Sequence, residues 1–185
     1  MRMKNKAFNL SSYTFSEGEK ILLDTNIWLY LFPAPSNPSN SVATQYSKAF
    51  SRLVGVKAQP ILDPMVLGEY LNRYARIEWE GLYKTQYASF KQFRNSPDFH
   101  AVASSLEIFA RKILSVCEVH TIAANELNLH QALTDFSHGH VDFTDAILLD
   151  VCRKNSIKIM TNDGDFQAGG IEVLTTNSHL LQACR

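Results

Sequence analysis

The sequence lacks three features that would each indicate a class of protein: an excess of one charge, a cysteine pattern and a long apolar run. Lysine plus arginine and aspartate plus glutamate both number 18, so the formal net charge is zero. No overall basic field therefore favours a polyanionic partner. A nucleic acid would have to be held by a local basic patch or by metal ions.

The cysteine content disfavours both a disulfide framework and a structural zinc site. Cys117, Cys152 and Cys184 are odd in number, far apart and never in a C-x-x-C spacing. No window approaches the roughly 18 consecutive apolar residues of a membrane helix. Polar residues interrupt every apolar run of residues 1–20, which excludes a signal peptide. We therefore expect a soluble, cytoplasmic protein without a membrane partner.

The length and the 45% hydrophobic content predict one domain with a substantial core. We expect residues 1–19 to form an N-terminal extension and residues 20–185 to form the domain, with a helical insert at about 82–116. Three prolines after Phe32, separated by small and polar residues, predict an exposed, mobile loop.

Short apolar runs alternate with helical patterns along most of the chain. Apolar runs bounded by polar turns are typical of buried parallel strands, and apolar spacings of three and four residues indicate amphipathic helices. The alternation predicts an α/β fold with a mostly parallel sheet and helices on both faces. The predicted strands are 21–23, 60–62, 118–122, 157–160 and 171–174. The predicted helices are 28–32, 42–53, 65–79, 82–93, 99–116, 125–136 and 142–155.

Two acidic residues closely follow predicted strands. Asp24 comes directly after the run 21–23, and Asp163 follows the run 157–160 after two residues. In an open parallel sheet, ligands bind outside the carboxyl ends of the strands, near the reversal of strand order. Both carboxylates are therefore expected in one crevice.

Two helices are predicted to bring further acids to this crevice. Asp142 and Asp145 are three residues apart and share the first turn of a helix, whose positive dipole end favours anionic side chains. Glu69 lies about one and a half turns into the helix after the second predicted strand, among apolar neighbours. Its carboxylate is expected to be partly shielded from water.

Carboxylates that share a pocket raise one another's pKa and take up protons unless a cation neutralises them. Oxygen ligands without histidine or cysteine suit Mg²⁺ or Mn²⁺ rather than Zn²⁺. Two such ions, about 4 Å apart, can activate water and stabilise the leaving oxygen when a phosphodiester is attacked in line. The acids thus favour metal-dependent phosphodiester hydrolysis.

Each acid also has a structural alternative. Asp24 can cap the following helix, and Asp163 can stabilise a turn. Asp142 is more simply an N-cap, and Glu69 can pair with Arg73 at i+4.

Three neighbours of these acids are candidates for supporting roles. Asp165 more simply fixes a turn than binds a metal. Asn26 and Thr161 can orient the acids by hydrogen bonds, although ordinary turn hydrogen bonding would also explain them.

Four segments, taken in order, resemble the motifs of the PIN-domain ribonuclease family. The combination is specific, whereas no single segment is. Asp145 and Asp163 lie 18 residues apart, which suits one helix and one strand. The segments are Leu22-Leu23-Asp24-Thr25-Asn26, Val66-Leu67-Gly68-Glu69, Asp142-Phe143-Thr144-Asp145-Ala146 and Thr161-Asn162-Asp163-Gly164-Asp165-Phe166.

This resemblance implies a three-layer α/β/α fold and Mg²⁺- or Mn²⁺-dependent cleavage of RNA. It also implies the role of a VapC-type toxin, with a small antitoxin protein as partner and a homodimer as assembly. Asn162 departs from the family, in which arginine is frequent at this position. The implied catalytic residues and metal ligands are Asp24, Glu69, Asp145 and Asp163, with Asp142 and Asp165 as auxiliary ligands and Asn26 and Thr161 in support.

Two other functions compete with this interpretation. His138, His140 and Asp142 superficially match the H-x-H-x-D motif of zinc hydrolases, but Phe143 stands where the fuller motif has another histidine. A non-catalytic PIN-like module that holds RNA or a protein is the second alternative. Basic and aromatic residues between 73 and 87 could form its binding surface or an ordinary amphipathic face.

Overall fold

A sheet of six short strands lies at the centre of the computed structural model, which describes residues 3–37, 41–120 and 126–184. All neighbouring strands pair in parallel. The strands are β1 (Lys6–Asn9), β2 (Lys20–Leu23), β3 (Gln59–Leu62), β4 (Glu118–Val119), β5 (Lys158–Met160) and β6 (Glu172–Thr175). Their order in the sheet is β1-β6-β5-β2-β3-β4.

Eight α-helices of the described residues pack around this sheet. They are α1 (Thr25–Leu31), α2 (Ser41–Gly55), α3 (Pro64–Glu78), α4 (Phe90–Arg94), α5 (Asp98–Val116), α6 (Leu129–Ser137), α7 (Phe143–Asn155) and α8 (Ser178–Ala183). Helix α1 packs against α2 and α3, α3 packs against α5, and α6 packs against α7. None of these helices is long and apolar enough to cross a membrane.

The central strand β2 shows why the layers form. Ile21, Leu22 and Leu23 are all fully buried, although successive side chains of a strand point to opposite faces. Both faces must therefore be covered by helices, as is usual for parallel sheets. The predicted three-layer α/β/α fold with its central parallel sheet is confirmed.

The strand order reverses beside β2. The chain runs outward from β2 through β3 to β4, and then returns to the other side of β2 with β5 and β6. A crevice is expected outside the carboxyl ends of β2 and β5, because their connections leave in opposite directions. Asp24 and Thr161 directly follow these two strands.

Two elements were not predicted from the sequence. Strand β1 pairs with β6 from within residues 1–19, the segment predicted to be an extension. Asn5 fixes this segment, because its buried side chain donates to Phe166 O and accepts from Ile171 N, both at 3.0 Å. Helix α8, capped by Asn177, was also missed.

The helix predicted over 82–93 is wrong. A π-helical turn (Trp79–Tyr83) extends α3, and the chain then turns back before α4. Ser89 begins α4 with a capping box, and the rings of Tyr83 and Phe93 stack at 4.6 Å. The prediction over 99–116 is confirmed by α5.

Other boundaries are shorter than predicted. Strand β4 ends at Val119, and α6 begins after its cap Asn128; residues 121–125, on which parts of these predictions fall, lie outside the described residues.

The proline-rich segment contacts α3 over residues 33–37, so the predicted exposure holds for only part of it, and its mobility stays a prediction. Ala34 is buried, and Ser36 donates through its backbone N–H and its hydroxyl to Glu78 Oε1 at 2.9 and 2.7 Å. A Cβ on Gly81 would lie 2.5 Å from Ser36 Cβ, so only glycine permits this close approach.

Candidate active site

Asp24 lies where β2 passes into α1, and both of its carboxylate oxygens accept hydrogen bonds. Oδ1 accepts from Thr25 N at 2.6 Å, so Asp24 is the N-cap of α1. Oδ2 accepts from Thr161 Oγ1 at 2.6 Å and from the side-chain amide of Asn26. The carboxylate is thus fixed between two neighbouring strand ends, with only 5% of the residue exposed.

Thr161 and Asn26 connect Asp24 to the loop after β5. Thr161 Oγ1 accepts from Asp163 N at 3.0 Å, and Asn26 Oδ1 accepts from Asn162 N at 3.1 Å. The two residues also contact each other, since Asn26 Nδ2 donates to Thr161 Oγ1 at 3.1 Å. The structure therefore places the two predicted supporting residues between Asp24 and the loop that carries Asp163.

Glu69 projects from α3 towards the same end of the sheet. Its Oε2 accepts from Thr25 Oγ1 at 3.0 Å, and its Oε1 accepts from Arg73 Nη1 at 3.3 Å. Thr25 therefore connects Glu69 to Asp24, whose carboxylate accepts from the Thr25 backbone. The alternative pairing of Glu69 with Arg73 is present as well.

Asp142 and Asp145 lie at the start of α7. Asp142 is the N-cap, because its Oδ1 accepts from Asp145 N at 3.0 Å. Asp142 is exposed, whereas Asp145 is half-buried. Asp142 thus has the capping role that the sequence predicted. Within the described residues, the carboxylate of Asp145 accepts no hydrogen bond that would favour its charged form.

The charges of these acids act on one another. Burial, opposed by hydrogen bonds from Thr161 and Thr25 and reinforced by the charges of Glu69 and Asp163, raises the pKa of Asp24 to about 6. Burial and repulsion raise the pKa of Asp145 to about 8. The repelling carboxylates around Asp145 are Asp142, Asp24, Asp163 and Glu69, in decreasing order of effect.

The loop after β5 directs its two acids differently. Asp163 Oδ1 accepts from Asp165 N at 3.0 Å, which is the turn contact expected for an aspartate followed by glycine. Asp165 is exposed and lines a neighbouring depression together with His138 and His140. The structure thus brings Asp163 to the pocket and leaves Asp165 at its margin.

Two residues that hydrogen-bond to the acids or to the loop after β5 were not predicted from the sequence. Thr25 stood inside a quoted motif, but its contact with Glu69 depends on how α3 packs against α1. Tyr46 carries no sequence signal, yet its buried hydroxyl donates to Thr161 O at 3.0 Å and accepts from Thr176 N at 3.1 Å. The Tyr46 hydroxyl thus holds the loop after β5 by a hydrogen bond to its backbone.

No three histidine, cysteine, aspartate or glutamate side chains within residues 3–37, 41–120 and 126–184 are arranged to hold a metal ion as they stand. This applies to the pocket of acids and to the histidine pair alike. The rings of His138 and His140 lie 5.5 Å apart, and both residues are exposed.

A family model described as the PIN domain matches residues 21–171. This chain belongs to the PIN-domain family. Members of the family are generally metal-dependent nucleases. The matched range begins in β2 and contains all the acids of the pocket.

Two solved structures are similar to this chain, both at low sequence identity. PAE2754 from Pyrobaculum aerophilum is 13% identical, with a TM-score of 0.51 over 91% of this chain and 98% of that chain. VapC20 from Mycobacterium tuberculosis, a Sarcin-Ricin loop cleaving toxin, is 22% identical, with a TM-score of 0.49 over 79% and 92% of the two chains. At 13% identity, the first likeness supports the fold alone. No curated protein matches the chain significantly.

Asn162 helps to fix the loop after β5, because its side chain is engaged on both sides. Its Nδ2 donates to Tyr30 Oη at 3.1 Å, and its Oδ1, 3.1 Å from Tyr46 Oη, shares the one hydroxyl proton of Tyr46 with Thr161 O. The asparagine thus anchors the loop after β5 to α1 and α2.

Proposed function

We propose that this PIN domain is a divalent-metal-dependent endoribonuclease that hydrolyses phosphodiester bonds of RNA. The proposal is carried by one observation: burial, together with repulsion between carboxylates of separate elements, raises the pKa of Asp24 to about 6 and that of Asp145 to about 8. A cation relieves such repulsion, so perturbed acids of this kind mark a candidate functional site.

The donor set fits a hard divalent ion. The principal acids offer only oxygen, which favours Mg²⁺ or Mn²⁺ over Zn²⁺. Because no three of them converge at present, rotation of the carboxylates or intervening water must complete the coordination. The proposed ligands are Asp24, Glu69, Asp145 and Asp163, with Asp142 and Asp165 as auxiliary ligands.

The residues of the chain have separate tasks in this mechanism. Asp24 is held in one orientation by Thr25 and Thr161, which is the preorganisation that a precise site requires. Asp145 can supply a second carboxylate from the first turn of α7. Within the described residues, its side chain has no hydrogen bond to lose. A divalent ion supplies the positive charge that a phosphodiester needs beside these carboxylates, and it lowers the pKa of the attacking water.

A non-catalytic PIN-like module that binds RNA or protein is the competing proposal. Its support is that the structural alternatives are also present: Asp24 and Asp142 cap helices, and Asp163 closes a turn. The binding surface proposed for it, between residues 73 and 87, has less support. Tyr74 is buried, Tyr83 stacks on Phe93, and other aromatic residues of that segment pack within the insert.

The decisive experiment measures cleavage of labelled single-stranded RNA after EDTA treatment and after addition of Mg²⁺ or Mn²⁺. We expect metal-dependent cleavage that falls by more than about 100-fold in Asp24→Asn and Asp145→Asn, beyond the usual effect of losing a ligand-orienting residue. Glu107→Gln is the matched control, because Glu107 is an exposed acid paired with Arg111 on α5. Equal activity of the parent chain, the two aspartate variants and the control would refute the site.

The toxin role and its antitoxin partner, like the homodimer, stay predictions from the family resemblance. The toxin role is tested by inducing the chain in a bacterial host, with Asp145→Asn as control. Growth arrest by the parent chain alone would support it, and arrest by both proteins would show an effect unrelated to cleavage.

A further inference from the structure

The guanidinium of Arg73 lies beside Glu69, one of the four acids proposed as metal ligands. Its Nη1 lies 3.3 Å from Glu69 Oε1, one helical turn earlier on α3. The Arg73 side chain is 54% exposed and that of Glu69 is 38% exposed. Among the ion pairs of residues that the structure describes, this one alone joins a basic side chain to a principal acid.

The two carboxylate oxygens of Glu69 accept hydrogen bonds from different partners. Oε2 accepts from the buried Thr25 hydroxyl, while Oε1 accepts from Arg73. A divalent ion bound to Glu69 would neutralise the carboxylate and so weaken the attraction of Oε1 for Arg73. An exposed i,i+4 pair contributes little to stability, so the guanidinium is easily displaced.

We propose that Arg73 is a substrate-binding residue whose guanidinium moves from Glu69 to a phosphate of the RNA when a divalent ion occupies the pocket. This inference rests on the proposed function, because it assigns the bound phosphate to the same site. Metal binding and substrate binding would then be coupled: with an ion bound at Glu69, the Arg73 guanidinium would be free to donate to a phosphate oxygen instead of to Oε1.

The chemistry of arginine suits this exchange. A guanidinium presents a planar fork of donors that fits carboxylate and phosphate oxygens equally well. The chain has no net charge, so backbone phosphates near four carboxylates need a local cation. Neighbouring basic residues are engaged with aromatic rings: Arg76 lies over Phe90, and Lys84 lies over Trp79.

The test measures binding of a short labelled single-stranded RNA by fluorescence anisotropy, in Ca²⁺ and in EDTA. We expect Arg73→Ala to weaken binding about tenfold in Ca²⁺ and to reduce the slope of log affinity against log salt by about 0.7. In EDTA, where Arg73 stays on Glu69, its removal should change affinity much less. Arg73→Lys should retain only part of the Ca²⁺-dependent affinity.

Arg111→Ala is the matched control, because Arg111 forms an exposed i,i+4 pair with Glu107 on α5. It removes the same charge and the same kind of ion pair, and it should leave RNA affinity unchanged in both conditions. If Arg73→Ala behaves like Arg111→Ala, the inference is overturned.

A second arm tests the exchange itself. Glu69→Gln in EDTA should raise RNA affinity, because it releases Arg73 and removes one repelling charge. The gain should be larger in the parent chain than in the Arg73→Ala background, and equal gains would overturn the exchange.

Cleavage assays separate this inference from the proposed function. Metal-dependent cleavage whose KM is unchanged in Arg73→Ala would overturn the inference alone. Absence of metal-dependent cleavage, together with Arg73-dependent binding, would overturn the nuclease and support phosphate binding at Arg73. Absence of any RNA binding by the parent chain would overturn both.

Discussion

Thr161 Oγ1 donates to Asp24 Oδ2 at 2.6 Å, although 137 residues separate the two in the sequence. The hydrogen bond joins the carboxyl ends of β5 and β2, which are neighbours in the sheet. Thr161 is fully buried and Asp24 is 5% exposed, so water cannot easily replace the contact. The position of the acid is therefore set by the sheet itself.

Thr161→Val tests this relationship, since it keeps the β-branched shape and removes the hydroxyl. We expect metal-dependent activity to fall by about 10- to 100-fold, as for lost ligand-orienting residues. The free energy of unfolding should fall by about 1–3 kcal/mol, because Asp24 Oδ2 and Asp163 N both lose a hydrogen-bond partner.

Activity and urea unfolding of the same preparation measure both effects. Thr134→Val is the control, because its exposed hydroxyl donates to a carbonyl of its own helix, His130 O. A Thr161→Val protein with full activity would show that orientation of Asp24 is not needed.

Asp145 is predicted to destabilise the metal-free protein at neutral and alkaline pH. Its pKa is raised from 3.8 to about 8, so the folded state resists its ionisation. The cost is absent below about pH 4, grows as pH rises from there to the folded pKa of about 8, and stays constant above it. In EDTA near that pH, Asp145→Asn should be more stable than the parent chain by on the order of 2 kcal/mol.

Chemical unfolding at about pH 4 and about pH 8 checks the sign of this effect. Excess Mg²⁺ should reverse the order, because the ion stabilises only a protein that binds it. Glu107→Gln, at an exposed acid paired with Arg111 on α5, serves as control. Equal stability of Asp145→Asn and the parent chain at the higher pH would contradict the repulsion.

The fold was largely predictable because its strongest signals are local. Strand β2 is apolar on both faces and ends at a polar turn, so Ile21 to Leu23 could be recognised without knowledge of their neighbours. Strand β1 could not be recognised, since its sequence KAFN has no buried run and its pairing with β6 depends on Asn5. The turn after α3 was mistaken for a helix because the stacking of Tyr83 on Phe93 is a tertiary contact.

The acids of the site were predictable for a different reason. Asp24 and Asp163 follow strands, and parallel strands bring their ends together whatever the remaining sequence is. The hydrogen-bond framework was less accessible: Tyr46 reaches Thr161 O from α2, and nothing in the spacing of the two residues indicates this. Glu69 was placed by family resemblance, and its contact with Thr25 depends on the packing of α1 on α3.

Metal binding should depend on pH. Carboxylates bind metal in their ionised form, and the pKa values of Asp24 and Asp145 are raised to about 6 and about 8. Affinity for Mg²⁺ or Mn²⁺ should therefore rise between these pH values, and binding should release protons. Calorimetry in two buffers of different ionisation enthalpy measures the release directly. Constant affinity from about pH 5 upward, without proton release, would contradict the shifted values.

Glu78 is predicted to hold the proline-rich segment on α3. The residue is 4% exposed, and its Oε1 accepts from both the backbone N–H and the hydroxyl of Ser36. Glu78→Ala leaves the Ser36 N–H without its acceptor in a partly buried setting, while the hydroxyl keeps Ile77 O as an acceptor, and the loss costs about 1–3 kcal/mol. The amides of Ala34, Ser36 and Asn37 should then exchange their hydrogens faster, while β2 and β3 keep their protection.

Glu80→Ala is the matched control for this last experiment, because Glu80 is an exposed acid two residues further along. It should leave both stability and the exchange of residues 33–37 unchanged. Glu78→Gln, which keeps a side-chain oxygen at the same distance from the backbone, should recover most of the protection. Fast exchange of this segment in the parent chain itself would show that the contact between Ser36 and Glu78 does not hold the segment in place.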